Sequence, residues 1–566
     1  MVNLKEKPFY LSEEDITWVE TTIADMTDEE KVGQLFINMV TDRNPEELKR
    51  VLHEYHVGGI RYTNTSAEAL YEQNKVMQEH TKIPLLIASN CEAGGNGGIE
   101  GGTAIANGAA IAAIGDEDAA YKTARVSAAE GFSVGCNWNF APIVDLLYNW
   151  RNSVVQLRAY NDNPDDVIRF AKAFYKGTKT KNIATCAKHF PGDGTEENDQ
   201  HLLMGINEMD CEEWDQTYGK VYRALIDAGV MTIMAGHIAL PAYTRKLCPG
   251  IPDSEIRPAT LAPELITGLL KGQLGFNGLV LTDASHMIGM FGATVPRSQQ
   301  VPGAIAAGCD MFLFFNDRDE DFGYMLEGYR SGVISEERMT DALRRILGLK
   351  AALKLPKLQA EGKLMPPKEG LSVIGCAEHK KIAADMADRY ITLVKDTKNY
   401  LPMTPEKYQR IKLVFLAGEG RVIAGKLHQD NSDEVKQKVI SELEAAGFEV
   451  DATEAEVKGK MEEFKRNYDA CLVVFNIVGM AQYNAMRVKW ALPIQQPWYV
   501  SEVPTMFLSL NFTNHLIDVP MAKTYVNAYM NSDEALYASL EKLMGKSEFK
   551  GKYHKNVFCG RWDTAY

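Results

Sequence analysis

No stretch of this 566-residue sequence reaches the length of apolar run that a membrane-spanning helix needs, roughly 18 residues or more. Membrane insertion is therefore not expected. The nine cysteines, at 91, 136, 186, 211, 248, 309, 376, 471 and 559, form no CxxC pair. That argues against both a disulfide framework and a zinc site. Several sit inside apolar runs, where a free thiol behaves as a small hydrophobe. A reducing cytoplasm is the compartment this usage fits. The first residues, MVNLKEKPFYLSEEDITW, hold no apolar core of the kind a secretory signal carries. No basic block stands out and the formal net charge is −15, so nucleic acid is not an expected partner. The glycine-rich run Gly94-Gly95-Asn96-Gly97-Gly98 fits neither a dinucleotide fingerprint nor a phosphate-binding lysine loop. It reads as a flexible loop at the edge of a site. No internal repeat or low-complexity segment is visible.

What is present is ordinary in amount and ordered in pattern. Apolar residues make up 45% and charged residues 24%, as in soluble globular proteins. The length calls for two or more domains. Up to about residue 350, short apolar runs of β character alternate with helical patterns. The strand candidates are Gln34–Met39, Gly58–Tyr62, Pro84–Ser89, Trp138–Val144, Ile183–Lys188, Val230–Ala235, Gly278–Thr282 and Met311–Phe315. Such alternation predicts parallel strands covered by helices, and eight of them suit a (β/α)8 barrel over residues 1–354. Residues 355–370, with Pro356, Pro366 and Pro367, read as a linker. Over 371–566 a second pattern follows, with strands at Ile411–Ala417, Ala470–Val478, Pro504–Leu510 and Thr524–Asn527. Its helices are expected at Glu378–Ala387, Asp433–Ala446, Glu454–Lys465 and Asp533–Leu543. It predicts a smaller α/β/α sandwich.

Polar residues gather where the barrel strands end: Asn90 and Glu92 after Ser89, Asp145 after Val144, Lys188-His189, Gly236-His237 after Ala235, and Asp283 after Thr282. In a parallel barrel these ends share one face, and that face carries the site. Asp283 is delivered by an apolar strand, as suits a rigidly held nucleophile; a helix cap or a structural aspartate is the plain alternative. Asp199-Gln200-His201 places a carboxylate beside an imidazole on a loop containing Pro191, Gly192 and Gly194. A carboxylate of this kind fixes the imidazole's tautomer and fits it to give and then take a proton near neutrality. Lys188 and His189 can donate to hydroxyl groups, and Arg158 has the fork to hold vicinal hydroxyls. Trp138 and Trp150 have faces on which a sugar stacks, with core packing the expected task of Trp138.

These motifs resemble a known family. AKHFPGDG followed by DQH, with LTDASHM further on, is similar to glycoside hydrolase family 3, in its β-N-acetylhexosaminidase branch. The resemblance extends over most of the first domain through MTDEEKVGQLF, FAPIVD, AGHI and the approach to Asp283. It implies a retaining, two-step hydrolysis of a terminal β-linked N-acetylhexosamine, with N-acetylglucosamine the expected sugar. Asp283 matches the nucleophile, His201 the acid/base and Asp199 its polarising partner. Lys188, His189, Arg158, Asn90, Glu92, His237 and Met287 fall at positions expected to bind substrate. No metal or organic cofactor is implied. The carboxyl-spacing rule of retaining enzymes does not transfer, because one carboxyl is replaced by a histidine. Three departures from the branch pattern stand out: Asp193 replaces a histidine, Asn90 and Asn96 replace an aspartate and an arginine in one segment, and Ala284 replaces a second acid.

Other activities fit the same residues. A phosphorylase is one, since a neutral imidazole repels phosphate less than a glutamate does. A β-glucosidase or β-xylosidase taking its acid from the second domain is another. A non-catalytic sugar-binding homologue is a third, from a different class.

Overall fold

The computed structural model describes residues 1–566 apart from 293–294, 419–420, 424–425, 429–430, 454–460, 478–486 and 491–495. Contacts divide the chain into two units. The first holds 1–104, 120–148 and 162–379, and the second holds 105–119, 149–161 and 380–566.

In the first unit eight parallel strands close into a barrel in sequence order: β1 Phe36–Val40, β2 Gly59–Tyr62, β3 Leu86–Ser89, β4 Trp138–Asn139, β5 Ala184–Phe190, β6 Thr232–Ala235, β7 Leu279–Ala284 and β8 Met311–Leu313. The ladder closes where Phe36 of β1 meets Phe312 of β8. Every residue of β3 and β5 is buried, as expected of strands covered on both faces. Asn44, Ser66 and Asn163 start the covering helices Pro45–Tyr55, Ala67–His80 and Pro164–Thr178, each side chain accepting an otherwise unpaired N–H of the first turn. The interior is filled rather than hollow. Trp138 of β4 is fully buried and its indole donates to Thr232 Oγ1 of β6 at 2.9 Å, so its face is not available for a sugar.

The fourth strand is shorter than the Trp138–Val144 run predicts. Pro142 has no N–H to give a ladder, and the chain leaves the sheet after Asn139, touching it again through an isolated bridge between Ile143 and Lys188. Below the site, the strand that carries Asp283 is anchored by charge. Asp310, ahead of β8, accepts the Val280 N–H at 2.7 Å and the Lys271 ammonium at 2.9 Å, with Arg338 also bound to it. Burial pulls Lys271 down to about 7 against the attraction of Asp310.

The stretch read as a linker does not stand apart. It contains the helix Leu355–Ala360 and the 3-10 turn Lys368–Val373 and groups with the first unit. Leu355 is buried in the barrel's apolar core, and Leu358, Leu364 and Leu371 pack against it. Those leucines outweigh the prolines that suggested an open connection. The sequence-based division also assigned 105–119 and 149–161 to the barrel, whereas they group with the second unit.

The second unit is built on a six-stranded sheet: β9 Thr392–Asp396, β10 Arg410–Ala417, β11 Glu449–Asp451, β12 Ala470–Asn476, β13 Thr505–Ser509 and β14 Thr524–Asn527. Their order is β9-β14-β13-β12-β10-β11, parallel except for β9, which runs against β14. Helices Ser432–Ala445 and Asp533–Leu543 carry apolar faces buried in this unit. The expected helix over Glu454–Lys465 is described from Met461 onward, as Met461–Asn467. Its first part, 454–460, and the last residue of the predicted strand Ala470–Val478 lie outside the described residues.

Candidate functional site

The carboxyl ends of β2, β3, β5 and β7 and the loop after β5 place the candidate residues in one barrel mouth. Asp283 is the next-to-last residue of β7. Its Oδ1 accepts the N–H of Ala284 at 2.7 Å, and its Oδ2 lies 3.9 Å from His189 Nε2. The carboxyl side chain is 14% exposed. Burial pushes its pKa up, but the fields of His189, His237 and His201 outweigh this and hold it at about 2. The group is therefore an anion through the whole neutral range.

His189 is the next-to-last residue of β5, beside Lys188. Asp145 is wholly buried and holds His189 twice: Oδ2 meets ring Nδ1 at 2.7 Å, and Oδ1 accepts the backbone N–H at 3.1 Å. The same Oδ1 accepts the N–H of Asp193 at 2.8 Å. With Nδ1 bound to a carboxylate, Nε2 is the nitrogen left facing Asp283. Lys188 pairs with Glu92 at 2.9 Å, which brings the ends of β3 and β5 together. Asn90, at the end of β3, has a buried Oδ1 with no hydrogen-bond partner. A buried acceptor left without a partner is costly.

His201 sits on the loop after β5. Its Nδ1 is 2.7 Å from Asp199 Oδ1, which also accepts the His201 N–H at 2.8 Å. Asp199 is buried, while the His201 side chain is 24% exposed. Two backbone bonds tie this loop to the turn after Asp283: Ile288 donates to the His201 carbonyl and Gly289 to the Gln200 carbonyl, both at 3.0 Å. A β-carbon on Gly289 would fall 2.4 Å from the Gln200 oxygen, so the close approach requires glycine there. Gln200 adds side-chain ties, donating to Asp193 Oδ2 at 3.2 Å and accepting the His237 N–H at 2.9 Å. Asp193, which departs from the branch pattern, thus helps brace the loop. Arg297 grips the same turn from the other side, donating to the Ser285 carbonyl at 3.0 Å and Oγ at 2.9 Å while paired with Asp321.

Two expectations change. His237 does not offer its ring to a sugar. It is fully buried, and Nε2 lies 3.0 Å from the Ala284 carbonyl, an acceptor only, so Nε2 carries the proton. Nδ1 then accepts from the Thr260 hydroxyl at 3.0 Å. Both nitrogens are used, and burial holds the ring's pKa down. His237 props the residue beside Asp283. Met287 is likewise buried, with its N–H closing a turn onto the Ala284 carbonyl. Arg158 belongs to the second unit, where its guanidinium donates to the Val154 carbonyl at 3.1 Å. The glycine-rich run forms a 3-10 turn at Gly95–Gly97 packed against Glu130, whose carboxylate a β-carbon on Gly95 would strike.

Sequence reasoning passed over Gln200 and His286, and gave Asp145 no task. Asp145 was detectable by the strand-end rule. His286, in the same LTDASHM motif, is exposed and lies flat against Phe314, with ring centroids 6.2 Å apart. Loss of part of its hydration shell lowers its pKa, opposed by Asp283. Among the described residues no group of three or more His, Cys, Asp or Glu side chains could hold a metal ion, and no helix is long and apolar enough to cross a membrane.

A closed parallel barrel presenting an ionised aspartate among carboxylate-bound imidazoles defines a barrel enzyme whose chemistry occurs at the strand ends. Residues 27–349 match the glycosyl hydrolase family 3 N terminal domain, and the chain belongs to that family. It is 39% identical over 573 residues to a β-N-acetylglucosaminidase/β-glucosidase of Cellulomonas fimi, covering 100% of both chains. Among solved structures it is similar to the β-glucoside phosphorylase BglX bound to 2FGlc, with a TM-score of 0.93, 38% identity and 99% of each chain covered. A family 3 β-N-acetylglucosaminidase from Paenibacillus sp. str. FPU-7 gives a TM-score of 0.77 at 25% identity, over 93% of this chain and 98% of that one.

Proposed function

We propose that the protein is a retaining enzyme that takes a terminal β-linked N-acetylglucosamine or glucose from a glycoside by double displacement. The observation that carries this reading is an Asp283 carboxylate held at about 2 beside a loop-borne His201–Asp199 pair fastened to the turn that follows it. In the first step Asp283 forms a bond to the anomeric carbon, and the glycosidic oxygen leaves with the proton of His201 Nε2. In the second step an acceptor oxygen replaces Asp283. When the acceptor is water, His201 takes its proton. Lys188 and His189 donate to sugar hydroxyls, and the Asn90 oxygen accepts from one. His237 and Asp145 hold their neighbours in place.

The test uses 4-nitrophenyl N-acetyl-β-glucosaminide and 4-nitrophenyl β-glucoside with wild type and Asp283→Ala, together with mass analysis after a 2-deoxy-2-fluoro glycoside. Turnover surviving in the variant, or a covalent sugar on another residue, refutes the assignment.

Phosphorolysis is a second reading, favoured by the similarity to a β-glucoside phosphorylase along the whole chain. An imidazole as proton donor is neutral once it has given its proton, so it does not repel an incoming phosphate as a glutamate would. Two inversions would leave a sugar 1-phosphate in the configuration of the donor.

A further inference from the structure

The loop that follows β3 is held at both ends. Its near end is fixed to β4, where the Asn139 side chain accepts the Cys91 N–H at 3.0 Å and donates to the Cys91 carbonyl at 2.9 Å. The next residue, Glu92, makes the 2.9 Å salt bridge to Lys188. The glycine turn presses back on the same stretch, since a β-carbon on Gly97 would collide with the Asn90 carbonyl oxygen. Gly94 and Ala104 pair across the neck of the loop. Beside that neck, Thr103 is bound to Glu130, a fully buried residue of the helix Glu117–Ser133 that the reaction scheme leaves unused.

Thr103 gives Glu130 two bonds, from its N–H to Oε2 at 2.8 Å and from its hydroxyl to Oε1 at 2.6 Å. The other partners come from the chain that follows the barrel. Gly375 donates its N–H to Oε1 at 3.2 Å, and Nδ1 of the buried His379 ring lies 2.7 Å from the same oxygen. Gly375 also meets the loop directly. It stands at φ +62°, and a β-carbon there would lie 2.9 Å from the Gly101 carbonyl oxygen. A buried carboxyl group is unfavourable unless its oxygens are satisfied. Here the partners are drawn from a loop of the barrel mouth and from a stretch far along the chain. An apolar side chain could fill the same space without fixing either one.

We propose that Glu130, completed by Gly375 and His379, is a positioning residue for sugar binding. It seats Thr103 and the neck of the loop, the neck sets Glu92, and Glu92 sets the Lys188 ammonium. The role rests on the reading above in which Lys188 donates to a sugar hydroxyl. It makes the stretch from Gly375 to His379 part of the binding apparatus. The His201–Asp199 pair lies on the separate loop after β5, so proton transfer does not depend on Glu130.

The experiment measures kcat and KM separately for the full-length protein on 4-nitrophenyl β-glucoside and 4-nitrophenyl N-acetyl-β-glucosaminide. Thr103→Val, which removes one hydroxyl bond and keeps the shape, should raise KM about 2- to 10-fold. Glu130→Ala should raise it about 10- to 100-fold, with Glu130→Gln between wild type and Glu130→Ala. In each, kcat should change by less than about 3-fold, the split expected when a lost contact serves ground and transition states alike. The dependence of rate on leaving-group acidity should match that of wild type. In a Glu92→Gln background Glu130→Ala should add little, because its effect runs through Glu92. An unchanged KM in Glu130→Ala overturns the proposal. So does a loss in kcat larger than the change in KM, or a full additive loss in the Glu92→Gln background. Where Glu130→Ala does not fold, as judged by circular dichroism, Thr103→Val and His379→Gln decide on the same readouts. If wild type turns over neither glycoside, the sugar-binding reading fails and this role with it, a result seen before any substitution is made.

Discussion

Two carboxylate–imidazole pairs stand in one barrel mouth, at the end of β5 and on the loop that follows, and they have the same core geometry. In each, ring Nδ1 lies 2.7 Å from an aspartate oxygen and the aspartate is buried. The surroundings differ. Asp145 comes from the chain after β4 and binds both the His189 backbone and the Asp193 backbone, so its pair joins three separate stretches. Its imidazole is 5% exposed. Asp199 binds His201 through both ring and backbone, only two residues away, and its carbonyl accepts the Leu202 and Leu203 N–H groups. The ring and backbone bonds of that pair are made within its own loop, and the ring is 24% exposed. The first pair is fixed by the barrel and suits holding a sugar. The second keeps its tautomer wherever the loop goes, which suits moving a proton.

The comparison can be broken most directly at His201. His201→Ala should lower kcat on glycosides with poor leaving groups by about 10²- to 10⁴-fold, the usual worth of a positioned acid. Dinitrophenyl glycosides, which need no proton, should lose far less. Equal losses across a leaving-group series would remove the distinction between the pairs. Next in size, Asp145→Ala should cost about 3–5 kcal/mol of stability, as losing one partner of a buried pair does. Asp199→Ala should cost clearly less, and urea unfolding of both variants measures the gap.

Gly289→Ala targets the contact between the loop and the turn after Asp283. The added carbon, 2.4 Å from the Gln200 oxygen, must push the loop off its seat. A misplacement of that order costs up to about 100-fold in kcat, and KM should change little. The smallest effect concerns acid stability. The Asp283 pKa is depressed from 3.8 to about 2. A depressed carboxylate stabilises the fold above its unfolded pKa, and that contribution disappears as pH falls through the folded value. The amount is about 2 kcal/mol, and the stability difference between wild type and Asp283→Asn should shrink accordingly between about pH 4 and pH 2.

Much of the barrel was legible because its strands are short apolar runs that end in a polar residue, from Ser89-Asn90 to Thr282-Asp283. Asp283, His201, Asp199, Lys188 and His189 were legible from type and spacing, and the structure gathers them in one mouth. His237 and Met287 looked like lining because they follow strand ends. Their burial depends on Thr260 and the Ala284 carbonyl, partners distant in sequence. The edge strand Thr392–Asp396 was missed since its run is short and includes Lys395 and Asp396, and Lys395 is satisfied by carbonyls of Thr564 and Tyr566 far along the chain.

The Asp145 carboxylate described above has a practical meaning for anyone who transplants this loop. Residues 191–206 bring their own acid, but the root at Asp193 is tethered to an oxygen that belongs to a different βα segment. A host barrel given the loop without Asp145 would receive the His201–Asp199 pair and not its mooring, whereas one given both, with glycine at the position of Gly289, would receive the pair and its seat together.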